Sequence, residues 1–195
     1  YINTNTGSFA APTTVGAGGN GAQTVIARDF NGDGKLDIAV TNYTNNKLGI
    51  LIGNGMGGFA PVVSYTTTGG GAAGLDAGDI DGDGDLDLVV MGQSTGADIF
   101  FNNGSGVFSG PTFYSVSANA TGVVFGDFDN DGDLDFAVAD LIGNNVSIRF
   151  NTGFGTFGAA TTYPATAAAA IVTGDFDGDG DLDLAVTNWG GPNLS

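Results

Sequence analysis

Four segments of the chain place oxygen-bearing side chains at alternate positions of a short glycine-containing loop, a pattern suited to holding a hard cation. They read DFNGDGKLDIAV from Asp29, DIDGDGDLDLVV from Asp79, DFDNDGDLDFAV from Asp127 and DFDGDGDLDLAV from Asp175. Positions one, three, five and nine are Asp29, Asn31, Asp33 and Asp37 in the first loop and Asp79, Asp81, Asp83 and Asp87 in the second. In the third they are Asp127, Asp129, Asp131 and Asp135, and in the fourth Asp175, Asp177, Asp179 and Asp183. The sixth residue is always glycine, which permits the sharp turn that brings the later ligands round. The seventh, Lys35, Asp85, Asp133 or Asp181, is expected to ligate through its backbone carbonyl. Hard oxygen ligands in this number suit Ca²⁺, about one ion per loop and four in all; Mg²⁺ demands a smaller octahedral cage.

Charge supports a cation. The formal net charge is −17, with 21 acidic residues, all of them Asp, and only Asp76, Asp98 and Asp140 lie outside the loop windows 29–37, 79–87, 127–135 and 175–183. Like charges at about 4 Å repel by roughly 4 kcal/mol at a surface-like dielectric, and a divalent ion turns that repulsion into attraction. Asp-Gly turns that merely cap strands would account for one such loop, but not for four in register. The first loop departs from its siblings, with Asn31 and Lys35 in place of Asp, and is expected to bind most weakly. An EF-hand needs a bidentate Glu at position 12 between helices. Position 12 is instead Val40, Val90, Val138 and Val186, each inside an apolar run, so the loop closes with the aspartate at position nine.

These loops recur with starts 50, 48 and 48 residues apart, so the chain is built from repeats. A second element keeps step with them, an apolar alternating run that ends in a Gly-rich turn and a Phe, closing at Phe59, Phe108 and Phe157; Phe9 closes a truncated copy. Leu36, Ile38 and Val40 alternate, as do Leu134, Phe136 and Val138, in short runs bounded by Gly and Asn, which is the periodicity of strands. All 36 glycines and an acid set free of Glu fit a protein of shaped turns rather than helices. The run Ala167–Ala170 is read as a loop leading into a strand. About four short antiparallel strands per repeat suit propeller blades, each sheet hiding its faces against its neighbours. The expectation is one all-β domain over 1–195, a β-propeller-like array of four four-stranded blades, with incomplete repeat halves at 1–9 and 186–195. Those halves are complementary, and could close one ring, pair between chains, or belong to a longer array.

The DxDxDGxxD loop, the LDLAV strand and the Gly-rich turn with its Phe resemble the FG-GAP or VCBS repeat of integrin α-subunit propellers and many bacterial surface proteins. The resemblance covers essentially the whole chain, four times. It implies a β-propeller with structural Ca²⁺ in a hairpin loop of each blade, at the loop positions named above, and roles in adhesion or carbohydrate binding. Propellers of that family commonly carry more blades than four.

Other functions find less support. Four scattered basic residues cannot form a nucleic-acid-binding patch, and no apolar run approaches the roughly 18 residues needed to cross a bilayer. With no His, Cys or Glu, acid–base catalysis is poorly served, and the chain is read as no enzyme, a calcium-dependent polysaccharide-acting one being the least favoured reading. Asp76, Asp98 and Asp140 are read as exposed turn or strand residues. Tyr65, Tyr114 and Tyr163 share one repeat position, which suggests packing, whereas Trp189 is a candidate for stacking on a sugar or for an interface between units. Glycosylation sequons begin at Asn42, Asn103, Asn119, Asn145 and Asn193. Loops of this kind suit the millimolar Ca²⁺ outside cells. The expected function is therefore an extracellular adhesion module for a protein or glycan ligand, and the alternative a filament or assembly subunit that self-associates through its terminal strands.

Overall fold

A computed structural model describes residues 1–4, 7–116, 119–189 and 194–195. The first sheet consists of β1 (Ala22–Arg28), β2 (Asp37–Asn42), β3 (Lys47–Leu51) and β4 (Val63–Thr66), each antiparallel to the next in chain order. The second repeats this with β5 (Ala72–Gly78), β6 (Asp87–Gly92), β7 (Gly96–Phe100) and β8 (Thr112–Ser115). The third has β9 (Ala120–Gly126), β10 (Asp135–Asp140), β11 (Asn145–Arg149) and β12 (Thr161–Pro164), and the fourth pairs β13 (Ala168–Gly174) with β14 (Asp183–Asn188). Among the described residues, a single bridge from Thr187 to Leu194 extends the fourth sheet, and another from Asn3 to Phe9 marks the leading half-repeat. The propeller-like array of antiparallel sheets is as the repeat predicts, and among the described residues the fourth blade holds its two first strands.

The first strands of successive sheets pack on one another, β1 on β5, β5 on β9 and β9 on β13. Three cores lie between the sheets. Phe30, Leu48 and Ile50 meet Leu75, Leu88, Val90 and Phe100 in the first; Val89, Met91 and Ile99 meet Val123, Phe125 and Phe136 in the second; Ala137, Ala139 and Ile148 meet Ile171 and Val186 in the third. Strand β6 therefore sends Leu88 and Val90 to one neighbour and Val89 and Met91 to the other. This explains why LDLVV reads as a nearly continuous apolar run, where one-sided burial would give strict alternation. The alanine run differs from the expected loop, because β13 already begins at Ala168 and Ala168 is buried in the third core.

Aromatic residues at the recurring tyrosine position behave as packing groups in two blades. Tyr65 lies edge-on to Phe100 and Phe108, and its hydroxyl accepts the Phe108 N–H at 3.0 Å. Tyr114 is placed likewise against Phe136 and Phe157. Tyr163 is exposed. Among the described residues no helix is long and apolar enough to cross a membrane.

Candidate functional site

Each metal loop joins the first two strands of its sheet, and its shape is set by the loop's own carboxylates. The first aspartate reaches across to the N–H of the sixth-position glycine: Gly34 to Asp29 at 2.7 Å, Gly84 to Asp79 and Gly132 to Asp127 at 3.0 Å, and Gly180 to Asp175 at 3.1 Å. Those glycines have φ between 79° and 98°, a region that a side chain would strain. The fifth-position carboxylate accepts the N–H of the seventh residue, as in Asp83, Asp131 and Asp179 at 2.9 Å and Asp33 at 3.0 Å.

The ninth-position aspartate is the keystone of the loop. Asp37 accepts the Phe30 N–H at 2.9 Å through one oxygen and the Gly53 N–H at 2.7 Å through the other. Asp87 does the same with Ile80 and Asn102, and Asp135 with Phe128 and Asn151. Asp183 accepts the Phe176 N–H at 3.0 Å. Asp37, Asp87 and Asp135 are fully buried. Burial pushes the Asp87 carboxyl up to about 6, against the lowering effect of its two N–H donors, with repulsion from Asp81 and Asp83 adding to the rise. Asp135 is also raised to about 6, again chiefly by burial, with Asp129 and Asp131 contributing. Burial likewise raises Asp81.

Three loops bring carboxylates close enough to share an ion. In Asp79, Asp81 and Asp87, in Asp127, Asp129 and Asp135, and in Asp175, Asp177 and Asp183, one oxygen from each residue lies within 4.8 Å of the others. Positions one, three and nine thus converge. The fifth-position carboxylates Asp83, Asp131 and Asp179 stand outside these groups, turned to their own loop backbone. In the first loop Asn31 removes one carboxylate, and the Lys35 ammonium sits 2.8 Å from Asp33, the pair exposed. That hydrogen bond holds the Asp33 carboxyl below its usual range and raises Lys35. Neighbouring loops also touch, since the Asn130 side-chain amide donates to Asp181 at 2.7 Å.

Family membership follows from the repeat itself. The FG-GAP-like repeat matches residues 1–40, 29–90, 79–138 and 135–186, nearly the whole chain. The chain belongs to the FG-GAP-like repeat family. Solved structures agree on the fold. A lectin from Agrocybe aegerita, described by its recognition of non-reducing terminal N-acetylglucosamine, is 22% identical at a TM-score of 0.58 over 87% of this chain and 49% of its own. Virginiamycin B lyase from Staphylococcus aureus is 16% identical at 0.57, over 82% and 47%. BBS1N, solved in complex with ARL6DN, is 14% identical at 0.59, over 88% and 53%. The chain spans about half the length of these structures. Among curated protein sequences, none matches the chain.

The FG-GAP-like repeat and the three carboxylate clusters support a calcium-binding repeat module. The three aspartates outside the loops serve the backbone, and two of them correct the expectation of exposure. Asp98 is fully buried and accepts the N–H groups of Thr68 and Gly69 and the Thr68 hydroxyl; Asp140, also buried, accepts those of Ile142 and Gly143. Asp76 is half-buried and accepts the Phe125 N–H of the next sheet at 2.9 Å. Among the sequons, Asn42 is buried and donates to the Ala17 carbonyl, so it offers no glycan attachment, while Asn103 is exposed and Asn193 lies outside the described residues.

The sequence reading missed a pair of asparagines. Asn102 donates to the Phe30 and Leu86 carbonyls at 2.8 and 3.1 Å, and Asn151 to those of Ile80 and Leu134 at 2.9 and 3.2 Å. Each ties one sheet to the loop of the preceding sheet. Their signal was an Asn recurring six residues before the closing Phe, at 3, 102 and 151, with Gly53 as the exception.

Proposed function

We propose that this chain is an extracellular binding module in which each loop holds a structural Ca²⁺ and the stiffened sheets present their loops to a protein or glycan partner in adhesion. The observation that carries the reading is the convergence of first, third and ninth carboxylates in three loops, in two of which the ninth, Asp87 or Asp135, also brackets two backbone N–H groups. A cation there neutralises the loop and fixes the bracket, so metal binding and sheet geometry are coupled. Four ions are expected, held by the loop positions named from the sequence, with the fifth-position aspartate turning inward on loading and the seventh residue adding its carbonyl. An extracellular setting, with millimolar Ca²⁺, matches sites of this ligand number. Calorimetric titration of the metal-stripped protein tests the reading. Binding of three or four ions with a rise in melting temperature supports it, and an unchanged melting curve in excess calcium sinks it. A glycan array then tests carbohydrate recognition, which uniformly blank wells would exclude.

A second reading is a subunit of a filament or larger assembly joined through terminal strands. It is favoured by the pairing of Leu194 with Thr187, which repeats the register of Leu48 with Thr41 and so begins a third strand of the fourth sheet.

A further inference from the structure

Asn–Gly pairs occur in the chain at Asn20, Asn31, Asn54 and Asn103. In such a pair the backbone nitrogen of the glycine can attack the side-chain carbon of the asparagine, because the glycine carries no side chain to hinder the approach. The pair Asn31–Gly32 lies inside a metal loop, at the third position, where the other three loops carry Asp. Its surroundings favour the attack. Asn31 Oδ1 accepts the Asp33 N–H at 3.1 Å, which folds the side chain over the Gly32 nitrogen and polarises the carbonyl to be attacked. Gly32 is exposed, with a φ of 70° and open space where a Cβ would stand, so water reaches the pair.

The glycine nitrogen is also free. In the second and fourth loops Gly82 and Gly178 give this N–H to Asp79 and Asp175, at 2.9 and 2.7 Å. In the first loop the corresponding Asp29 oxygen accepts the N–H groups of Asn31 and Asp33 instead, at 3.3 and 3.2 Å, and the Gly32 N–H finds no acceptor among the described residues. Asn31 is half-buried and faces Gly106 of the second sheet. Asp81, its counterpart in a sheet with described sheets on both sides, is half-buried too, so this environment belongs to the loop and not to its place in the array.

We propose that Asn31 is a site of spontaneous deamidation, and that the aspartate formed there gives the first loop the third-position carboxylate of its siblings. The Gly32 nitrogen bonds to Asn31 Cγ and gives up its proton, the Cγ–Nδ2 bond breaks, and the amine leaves with that proton as ammonia. The resulting succinimide takes up water. Opening at the bond between Cγ and the Gly32 nitrogen yields aspartate. Opening at the main-chain carbonyl yields isoaspartate, which routes the chain through the side chain and takes the carboxylate out of the loop's ligand spacing. One product therefore completes the calcium site and the other removes it. A bound ion holds Oδ1 and fixes the amide plane, so calcium slows ring closure. The gain in affinity and the protection rest on the calcium reading of the loops, whereas the deamidation does not.

Peptide mass mapping of the 195-residue chain, aged metal-free or calcium-loaded in mildly alkaline buffer made with isotopically heavy water, tests the proposal. In the metal-free protein, position 31 should take up heavy oxygen and appear as both acid products. Calcium at about ten times the dissociation constant of that loop should slow the conversion about tenfold, since only the empty loop reacts. Asn103 is the internal control, because its Oδ1 accepts the Ser105 N–H at 3.0 Å in the same kind of turn but outside the metal loops. Its rate should not follow calcium. Calorimetric titration of the aged protein, separated by charge, reads the consequence. The aspartate form should match Asn31→Asp and bind calcium at the first loop at least about tenfold more tightly than the parent, while the isoaspartate form should lose that site. An intact amide at position 31 after Asn103 has converted would overturn the proposal, and so would an aspartate form that binds no more tightly than the parent while the other loops load. Equal rates at position 31 with and without calcium, beside normal loading of the other loops, would remove Asn31 from the ligand set and leave the deamidation standing. Absence of calcium binding at all four loops would overturn the gain in affinity together with the calcium reading, with the conversion at position 31 still read by mass.

Discussion

Asn102 donates its side-chain amide to the carbonyl of Phe30 across the seam between the first and second sheets, at 2.8 Å. The same amide also reaches Leu86, the Asn102 carbonyl oxygen accepts the Gly106 N–H at 3.2 Å, and its backbone N–H is held by Asp87. One buried side chain therefore joins two sheets, a metal loop and a Gly-rich turn. Asn102→Ala leaves the buried Phe30 carbonyl and the half-buried Leu86 carbonyl without this donor and is expected to cost about 1–3 kcal/mol. Urea unfolding of the calcium-saturated variant checks it, and a loss within error of zero would show that the clamp carries no stability.

Positions three and nine of a loop should separate cleanly on substitution. Asp129 is exposed, so Asp129→Ala should lower calcium affinity yet leave the chelated protein as stable as the parent. Asp135→Ala also strands the N–H groups of Phe128 and Asn151. It is expected to destabilise the protein by about 2–5 kcal/mol even in excess chelator, the sum of one buried and one half-buried donor left unsatisfied. Melting curves of both variants with and without chelator make the comparison.

Lys35 acts as an internal counter-ion for Asp33 in the first loop. Replacing it together with its neighbour, as Asn31→Asp with Lys35→Asp, restores the acid pattern of the other loops. The double variant should gain at least about tenfold in calcium affinity at that loop, since affinity follows ligand charge and number. It should also lose stability in chelator, where the added carboxylates repel. Calorimetric titration resolves the first effect and thermal melts the second.

The raised carboxyls give metal-free and loaded protein opposite responses to pH. Asp87 and Asp135 titrate near 6 in the metal-free fold, against an unfolded value near 3.9. Between those values the native state holds more protons than the unfolded chain, so metal-free stability falls as pH rises through this window. In excess chelator the melting temperature should rise from pH 7.5 to pH 5. With calcium present it should fall over the same range, because protons compete with the ion for Asp87 and Asp135. Parallel slopes in the two conditions would contradict the shared role of these carboxyls.

How much of this was legible in the sequence depended on how local the cause was. The loops were plain because their ligands lie within nine residues, and the glycine at position six announced the turn. The dual use of Asp37, Asp87 and Asp135 was hidden, since Gly53, Asn102 and Asn151 join them only when a distant turn folds back. Asp98 and Asp140 looked like ordinary turn acids, because nothing in a lone Asp reveals that nearby backbone N–H groups will compensate its burial. The continuous apolar run of LDLVV gave no sign of which neighbour each side chain would meet, and only the packed sheets show Leu88 and Val89 buried against different ones. Trp189 holds the place of Tyr43 at the end of its strand, an equivalence the repeat offset already contained.

Because β6 lends Leu88 and Val90 to one neighbour and Val89 and Met91 to the other, an interior sheet possesses no private core. Cut out alone, it would be a ribbon with oil on both sides. The architecture can therefore be lengthened or shortened only in whole units, since removing one complete repeat brings matching surfaces back together, whereas removing half a repeat strands a surface with nothing to meet. Growth by duplication is thus written into the alternate side chains of a single six-residue strand.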